Sequence, residues 1–258
     1  MKRLLKNICK YGLIASFSAL VTFLIFYGQN LTHSYPPQAK LNSTAASANY
    51  YSLTKKQAIN RSRDSSVRVL SFDVVQGMVS TSSATYFKYK SEYFILTTNH
   101  GLLGNCDSVQ IEADGELYNC EEIIAADPIV DYAIIRVAEI KNRRPINFPQ
   151  HTIRGIYKWN KSLTLLNEIV YTGYPNGIGP LTLGGKIMGF DSHGMIFVDS
   201  YAWSGSSGSG VFDRNGHLMG YILAIDVGNS EYGAAILENV MLVVPIYKVD
   251  WSVVYKRG

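Results

Sequence analysis

Residues 109–137 read VQIEADGELYNCEEIIAADPIVDYAIIRV. The first five alternate apolar and polar side chains, the period-two pattern of a half-buried strand. Asp114-Gly115 follows, a dipeptide suited to the positive φ angles of a two-residue hairpin turn. Residues 132–137, YAIIRV, are apolar almost throughout, as in a strand buried on both faces, and Asp131 stands immediately before them. Strand, tight turn and buried strand within thirty residues, with no helical period between them, point to a β protein.

The same signature recurs on both sides. Residues 67–72, 86–89, 93–97, 169–172, 186–190, 195–198 and 218–225 are short and rich in Val, Ile, Tyr, Phe and Thr, and Asn215-Gly216 is a second two-residue hairpin signal. The 18 tyrosines suit strands better than helices. From residue 66 onward this predicts an all-β body with too many strands for one small sandwich. Two β-barrels meeting near 147–152 are the simplest division. Two helices flank them. Thr54 followed by KKQAINRSRD reads as a short capped helix. In the terminal VPIYKVDWSVVYK, Ile246, Val249, Val253 and Val254 line one face of a C-terminal helix.

Composition limits the function classes. Of the 258 residues 47% are hydrophobic and 17% charged, which excludes a disordered chain. The net charge of +4 resides in Lys2, Arg3, Lys6 and Lys10, so the remainder is neutral and no nucleic-acid partner is indicated. Three cysteines, Cys9, Cys106 and Cys120, are too few for a four-thiolate zinc site. Neither a phosphate-binding glycine loop nor a metalloprotease helix motif occurs, and no cofactor or metal is expected.

The basic residues precede an uncharged run, YGLIASFSALVTFLIFY at 11–27. As a helix it is about 26 Å long, near the short limit for spanning a bilayer. The charge asymmetry places the flank at 1–10 in the cytoplasm, a transmembrane signal anchor at 11–29 in the lipid bilayer, and the rest outside, periplasmic or extracellular. A cleaved signal peptide and a secreted product form the alternative, although no good small-x-small site follows. Residues 30–52, rich in Ser, Thr, Asn, Ala and Pro, read as a tether. The predicted organisation is thus a linker with a short helix at 30–64, a first barrel at 65–148, and a second barrel with the C-terminal helix at 149–258.

Three places carry chemistry when read together. Phe94-Ile-Leu-Thr-Thr-Asn-His100-Gly is a strand ending in a histidine; Asp127-Pro-Ile-Val-Asp131 leads into a buried strand; Trp203-Ser-Gly205-Ser-Ser207-Gly-Ser-Gly is a small-residue loop before another strand. A serine hydroxyl is a poor nucleophile until a base takes its proton, and a histidine base needs a carboxylate to orient it. The order is His, Asp, Ser, with 31 residues from His100 to Asp131 and 76 from Asp131 to Ser207. Asp127 is a rival acid, but Asp-Pro reads as a turn.

These blocks resemble those of trypsin-like, chymotrypsin-fold serine proteases, in particular the protease domain of bacterial Deg/Htr proteases and the glutamyl endopeptidases. Ile95-Leu-Thr-Thr-Asn-His100 is similar to the family's ILT-x-x-H block, Ala126–Ile135 to its DP-x-x-DLAVL block, Val170–Gly177 to its G-x-P-x-G turn, and Gly205–Ser209 to its GNSGG or GNSGS loop. The resemblance covers roughly 65–250. It implies two six-stranded barrels, a catalytic triad of His100, Asp131 and Ser207, and an oxyanion hole made by the N–H groups of Gly205 and Ser207. Gly101 and Ser209-Gly210 depart from the family pattern without removing a catalytic atom. Ser206 stands where digestive members carry the acid that binds a freed N-terminus, so that activation is excluded. By register with the family, Tyr201, Ile222, Leu223, Ala224 and Ile225 wall the primary specificity pocket. With no Asp at 201 and no His at 222, small or medium apolar side chains are expected there.

The resemblance implies a membrane-tethered serine endopeptidase acting on peptide or protein substrates. A catalytically silent barrel that binds peptides is the alternative. Cys106 and Cys120 flank the Asp114-Gly115 hairpin and are candidates for a disulfide, since export makes oxidation available. Against this, a two-residue turn sets Cys120 opposite Val109, about 10 Å from Cys106 along the strand. Two separate thiols are the other reading.

Overall fold

The computed structural model describes residues 53–73, 75–147, 163–230 and 233–256, the side chains at 53–54, 224–230 and 233–238 excepted. Seven strands form the first half: β1 (Ser66–Asp73), β2 (Met78–Tyr89), β3 (Glu92–Thr97), β4 (Val109–Ala113), β5 (Glu116–Asp127), β6 (Tyr132–Val137) and β7 (Ile146–Asn147). Six of them follow the order β1-β4-β5-β6-β3-β2, and β2 pairs back onto β1 to close a barrel; β7 adds to β2 in parallel. The second half contains β8 (Glu168–Gly173), β9 (Leu181–Phe190), β10 (Ile196–Asp199), β11 (Gly210–Asp213), β12 (Leu218–Ser230) and β13 (Gly233–Pro245). These close in the order β10-β13-β12-β11-β8-β9. Closure pairs the twelve barrel strands on both sides.

Alternation sorts side chains between two cores. Ala84 and Tyr86 of β2 face the interior of the first barrel with Val69, Ile95, Ile111 and Ile135. Phe87 points the other way and joins the core of the second barrel. Strands β2, β3 and β6 are therefore buried on both faces over much of their length, which explains the apolar run YAII at 132–135. Each fully buried large side chain contributes roughly 1.5–3 kcal/mol.

The Asp114-Gly115 turn has φ of 53° and 84°, and Ala113 lies opposite Glu116. Asn215-Gly216 differs from the two-residue turn expected. Asp213 pairs with His217 across a three-residue loop, and only Gly216 takes positive φ there. The cause is the Asp213 carboxylate, whose Oδ1 accepts the N–H groups of Asn215 and His217.

Three expectations about helices change. The first helix, α1 (Leu53–Ser65), takes in Thr54 rather than starting after it. It is no part of a free linker: Ala58 is fully buried, Ser62 Oγ donates to Thr172 Oγ1 at 2.9 Å, and Arg61 Nη1 donates to Gly216 O at 2.9 Å, so α1 lies on the second barrel before the chain enters the first. The expected C-terminal helix shrinks to one turn, α2 (Ser252–Tyr255), because residues to Pro245 remain in β13 and a 3₁₀ turn occupies Ile246–Lys248. Trp251 fixes that end, its Nε1 donating to Ile246 O at 3.0 Å and its ring set edge-on to Phe87. Among the described residues no helix is long and apolar enough to cross a membrane. The expected anchor at 11–29, the basic flank and the tether lie outside those residues, as does most of the division near 147–152.

Candidate active site

The histidine and the aspartate come from neighbouring strands of the first barrel. β3 and β6 are antiparallel with Thr97 opposite Ala133, so the chain leaving β3 and the chain entering β6 meet at one rim. His100 and Asp131 are both on that rim. Asp131 Oδ1 accepts the backbone N–H of His100 at 2.8 Å, and Oδ2 lies 2.5 Å from His100 Nδ1. One carboxylate thus holds both the main chain and the ring. Charge-assisted contacts of this length are the strong ones. With Nδ1 bound to the carboxylate, the proton resides there and Nε2 is left as the acceptor. The His100 side chain is half exposed, at 51%, and that of Asp131 is 16% exposed.

Asp131 takes φ of 63°, an uncommon conformation that Asp tolerates better than most residues. Its loop is over-determined. Asn99 N–H donates to Asp131 O at 3.3 Å, and the Tyr221 hydroxyl of β12 donates to Val130 O at 3.0 Å. Burial raises the Tyr221 phenol well above its ordinary value, and the Asp131 charge adds to the rise. Asp127 makes the turn before this loop: its Oδ1 accepts the N–H groups of Ile129 and Val130. That oxygen is engaged in the turn, whereas both oxygens of Asp131 are on His100.

Ser207 comes from the second barrel, on the loop between β10 and β11. This loop is pinned to the first barrel. Ser83 N–H of β2 donates to Ser207 O at 2.8 Å, while Thr97 Oγ1, three residues before His100, donates to Ser83 O at 2.8 Å. Gly208 fits where nothing larger could, since a Cβ there would lie 2.0 Å from Ser83 O and 2.6 Å from Thr97 Oγ1. The serine loop and the histidine-bearing strand end therefore abut across the seam. No hydrogen bond joins the Ser207 hydroxyl to His100; such bonds commonly tighten when substrate binds.

The peptide planes of the loop are fixed from behind. Asn176 N–H holds Ser204 O at 2.5 Å, and Ser209 N–H holds Ser206 O at 3.0 Å. In a trans peptide the N–H opposes the C=O. Anchoring these two carbonyls turns the N–H groups of Gly205 and Ser207 away from the anchors, and among the described residues neither donates to a protein acceptor. Gly205 has φ of 91°, and a Cβ on it would lie 2.6 Å from Tyr174 O. Two preorganised donors beside a serine can stabilise a developing oxyanion.

The departures from the family pattern acquire reasons. A Cβ on Gly101 would lie 2.8 Å from Ser82 Oγ, so glycine after the histidine accommodates Ser82. Ser206 is buried, its N–H donating to Trp203 O and its Oγ accepting Trp203 N–H at 3.2 Å. Of the residues expected to wall a pocket, Ile222 is fully buried and joined to the serine loop: Gly208 N–H donates to Ile222 O, and Ile222 N–H to Ser209 O. Leu223 is partly buried against the core. Tyr201 is 53% exposed and stacks on Trp203. The side chains of Ala224 and Ile225 fall outside the described set.

Cys106 and Cys120 are bonded, with Cα atoms 5.3 Å apart. The register objection concerned a straight strand. Gln110 does face Asn119, but a 3₁₀ turn at Cys106–Ser108 bends the chain before β4 and returns Cys106 to Cys120.

Two closed antiparallel barrels with a carboxylate-held histidine and a glycine-framed serine between them define a chymotrypsin-like hydrolase architecture. Residues 82–220, more than half the chain, match the trypsin-like peptidase domain, and the chain belongs to that family of peptide hydrolases. No curated protein sequence matches it. Similar solved structures include the serine endoprotease from Yersinia pestis, with TM-score 0.59 and 18% identity over 79% of this chain and 67% of that one. The Rv3671c protease from M. tuberculosis in its active form gives TM-score 0.56 and 17% identity over 75% and 81%. The HtrA-type protease AlgW with a tripeptide gives 0.55 and 18% over 74% and 60%. At these identities the likeness is one of fold.

The sequence did not point to Ser83 or Thr97. Their signal lies in Ser83 and Thr85 alternating with Ala84 and Tyr86: hydroxyls on the face turned away from the barrel interior.

Proposed function

We propose that this chain is a serine endopeptidase using His100, Asp131 and Ser207. The observation that carries the reading is the two-point hold of Asp131 on His100, which leaves Nε2 free to act as a base. Ser207 Oγ attacks the substrate carbonyl and gives its proton to His100 Nε2. Asp131 stabilises the imidazolium, and the N–H groups of Gly205 and Ser207 receive the oxyanion. His100 then protonates the leaving amine, and water hydrolyses the acyl-enzyme with the same base. The register of the family sets the primary specificity pocket at residues 201 and 222–225, and with no Asp at 201 and no His at 222 it suits small or medium apolar side chains.

The organisation that fits the sequence is a cytoplasmic flank at 1–10, an anchor at 11–29, a connecting segment ending in α1, and barrels at 65–148 and 149–258 outside the cytoplasm. Support comes from Lys2, Arg3, Lys6 and Lys10 ahead of the uncharged run. The other reading is a silent peptide-binding barrel.

A fluorophosphonate probe separates the two. Ser207 is expected to be labelled covalently, and Ser207→Ala is expected to lose labelling and lower kcat by on the order of 10⁴–10⁶. An unlabelled wild-type chain, or turnover retained in Ser207→Ala, overturns the catalytic reading.

A further inference from the structure

Ser83 belongs to no block that resembles a catalytic motif, yet it contacts the serine loop, the chain before the turn behind that loop, and the strand that leads to His100. It is fully buried on β2, on the face turned toward the second barrel. Its N–H donates to Ser207 O at 2.8 Å. Its Oγ donates to Gly205 O at 2.7 Å and accepts the N–H of Tyr174 at 2.8 Å. Its carbonyl accepts the hydroxyl of Thr97 at 2.8 Å. One residue therefore binds the serine loop at two points, the turn whose Asn176 holds Ser204 O at a third, and the strand that ends in His100 at a fourth.

We propose that Ser83 is a positioning residue that sets the oxyanion loop from the opposite barrel, through the Oγ bridge between Gly205 O and Tyr174 N–H; the proposal rests on the triad reading above. Gly205 O belongs to the peptide between the two that carry the oxyanion donors. Fixing it limits rotation about both flanking Cα atoms, and with it the aim of the Gly205 and Ser207 N–H groups. Tyr174 immediately precedes the Pro175–Gly177 turn that anchors Ser204 O, so the same hydroxyl holds the loop and its backstop in register. Glycine at 205, with φ of 91°, has little stiffness of its own to keep that aim. Packing adds to the constraint. A Cβ on Gly173 would lie 2.8 Å from Ser83 Oγ, so no side chain there can intrude on the bridge. Removing the hydroxyl strands a carbonyl and an N–H in a buried seam, where each loses its partner and is driven to find another. The oxyanion donors turn with them.

The test is the rate constant of fluorophosphonate labelling of the full chain in membranes or detergent, read together with the fraction of molecules labelled at completion. A mispositioned oxyanion loop slows every molecule. A merely structural fault lowers the fraction that react and leaves the rate constant of the rest unchanged. Ser83→Ala is expected to label to completion about 10- to 100-fold more slowly, below the 10²–10³ that a whole oxyanion donor contributes. Ser83→Cys, close in volume but a weak donor and acceptor, is expected to fall between the two, and it decides the matter if the alanine variant does not fold. Ser62→Ala, which loses a buried hydroxyl contact on α1 without touching the loop, is expected to label at the wild-type rate. A wild-type rate constant in Ser83→Ala, or in Ser83→Cys where that variant stands in, overturns the proposal while the triad reading stands. Failure of the wild-type chain to label at Ser207 overturns both.

Discussion

Replacing Asp131 by Asn tests the site at its most constrained point. Both carboxylate oxygens are in use: Oδ1 accepts the backbone N–H of His100 at 2.8 Å, and Oδ2 lies 2.5 Å from Nδ1. Asparagine has one acceptor and one donor group in nearly the same shape. Its amide must orient so that the carbonyl receives the His100 backbone N–H, because an NH₂ aimed at that N–H opposes two donors. The NH₂ then faces Nδ1, where only an unprotonated nitrogen fits. The ring is forced into the tautomer that carries its proton on Nε2. That nitrogen cannot take the proton of Ser207, and the imidazolium has lost its counter-charge. The expected loss in kcat is about 10⁴, the scale set by the wrong tautomer in triads of this geometry. The fold should survive, since the side-chain acceptor of the His100 N–H is retained. The assay is the rate constant of fluorophosphonate labelling beside turnover of an apolar peptide ester, with circular dichroism and a thermal melt as controls. Labelling within ten-fold of wild type in a folded Asp131→Asn protein would refute the tautomer argument and return the search for the orienting acid to the rest of the rim.

Gly205→Ala should lower kcat by 10²–10³, because a Cβ 2.6 Å from Tyr174 O at φ of 91° must displace an oxyanion donor; a kcat within three-fold of wild type would contradict it. In denatured, unreduced full chain, thiol titration should find Cys9 alone, and the double variant Cys106→Ser, Cys120→Ser should lose about 3 kcal/mol in denaturant melts; three free thiols would remove the bridge. Tyr221 is held protonated by burial and by the nearby Asp131 charge, so its raised folded-state pKa gives stability that is complete below about pH 10 and falls away above it, where the unfolded phenol ionises first. Tyr221→Phe should therefore lose stability between pH 9 and 11 less steeply, by up to about 1.4 kcal/mol per pH unit, and parallel urea-stability curves for the two proteins would disprove the assignment.

Local pattern carried much of the architecture. Alternation in 109–113, the Asp114-Gly115 turn and the apolar run before Arg136 each report a nearest-neighbour preference, so strand existence and one hairpin register could be read directly from the chain. The order and spacing of His100, Asp131 and Ser207 named the residues on which the proposed triad rests, and the fold joins the first two. Local pattern failed where pairing, not sequence, makes the strand. β5 is long but mostly half-exposed and bulged, so it lacks a clean period. β13 is made a strand by pairing with a neighbour on each side. The C-terminal helix lost its first turns to the end of β13 at Pro245 and to the 3₁₀ turn at Ile246–Lys248. The bend that joins Cys106 to Cys120, the docking of α1 on the second barrel, and the aim of the Gly205 and Ser207 N–H groups are decided by groups far apart in the chain. Ser83 shows the limit most plainly: the alternation around it puts a hydroxyl on one face of a strand and says nothing of what that hydroxyl meets. Only the packing of one barrel on the other brings Ser207, Gly205, Tyr174 and Thr97 around it, because a hydrogen-bond hub is defined by its partners and those partners are assembled by the tertiary fold.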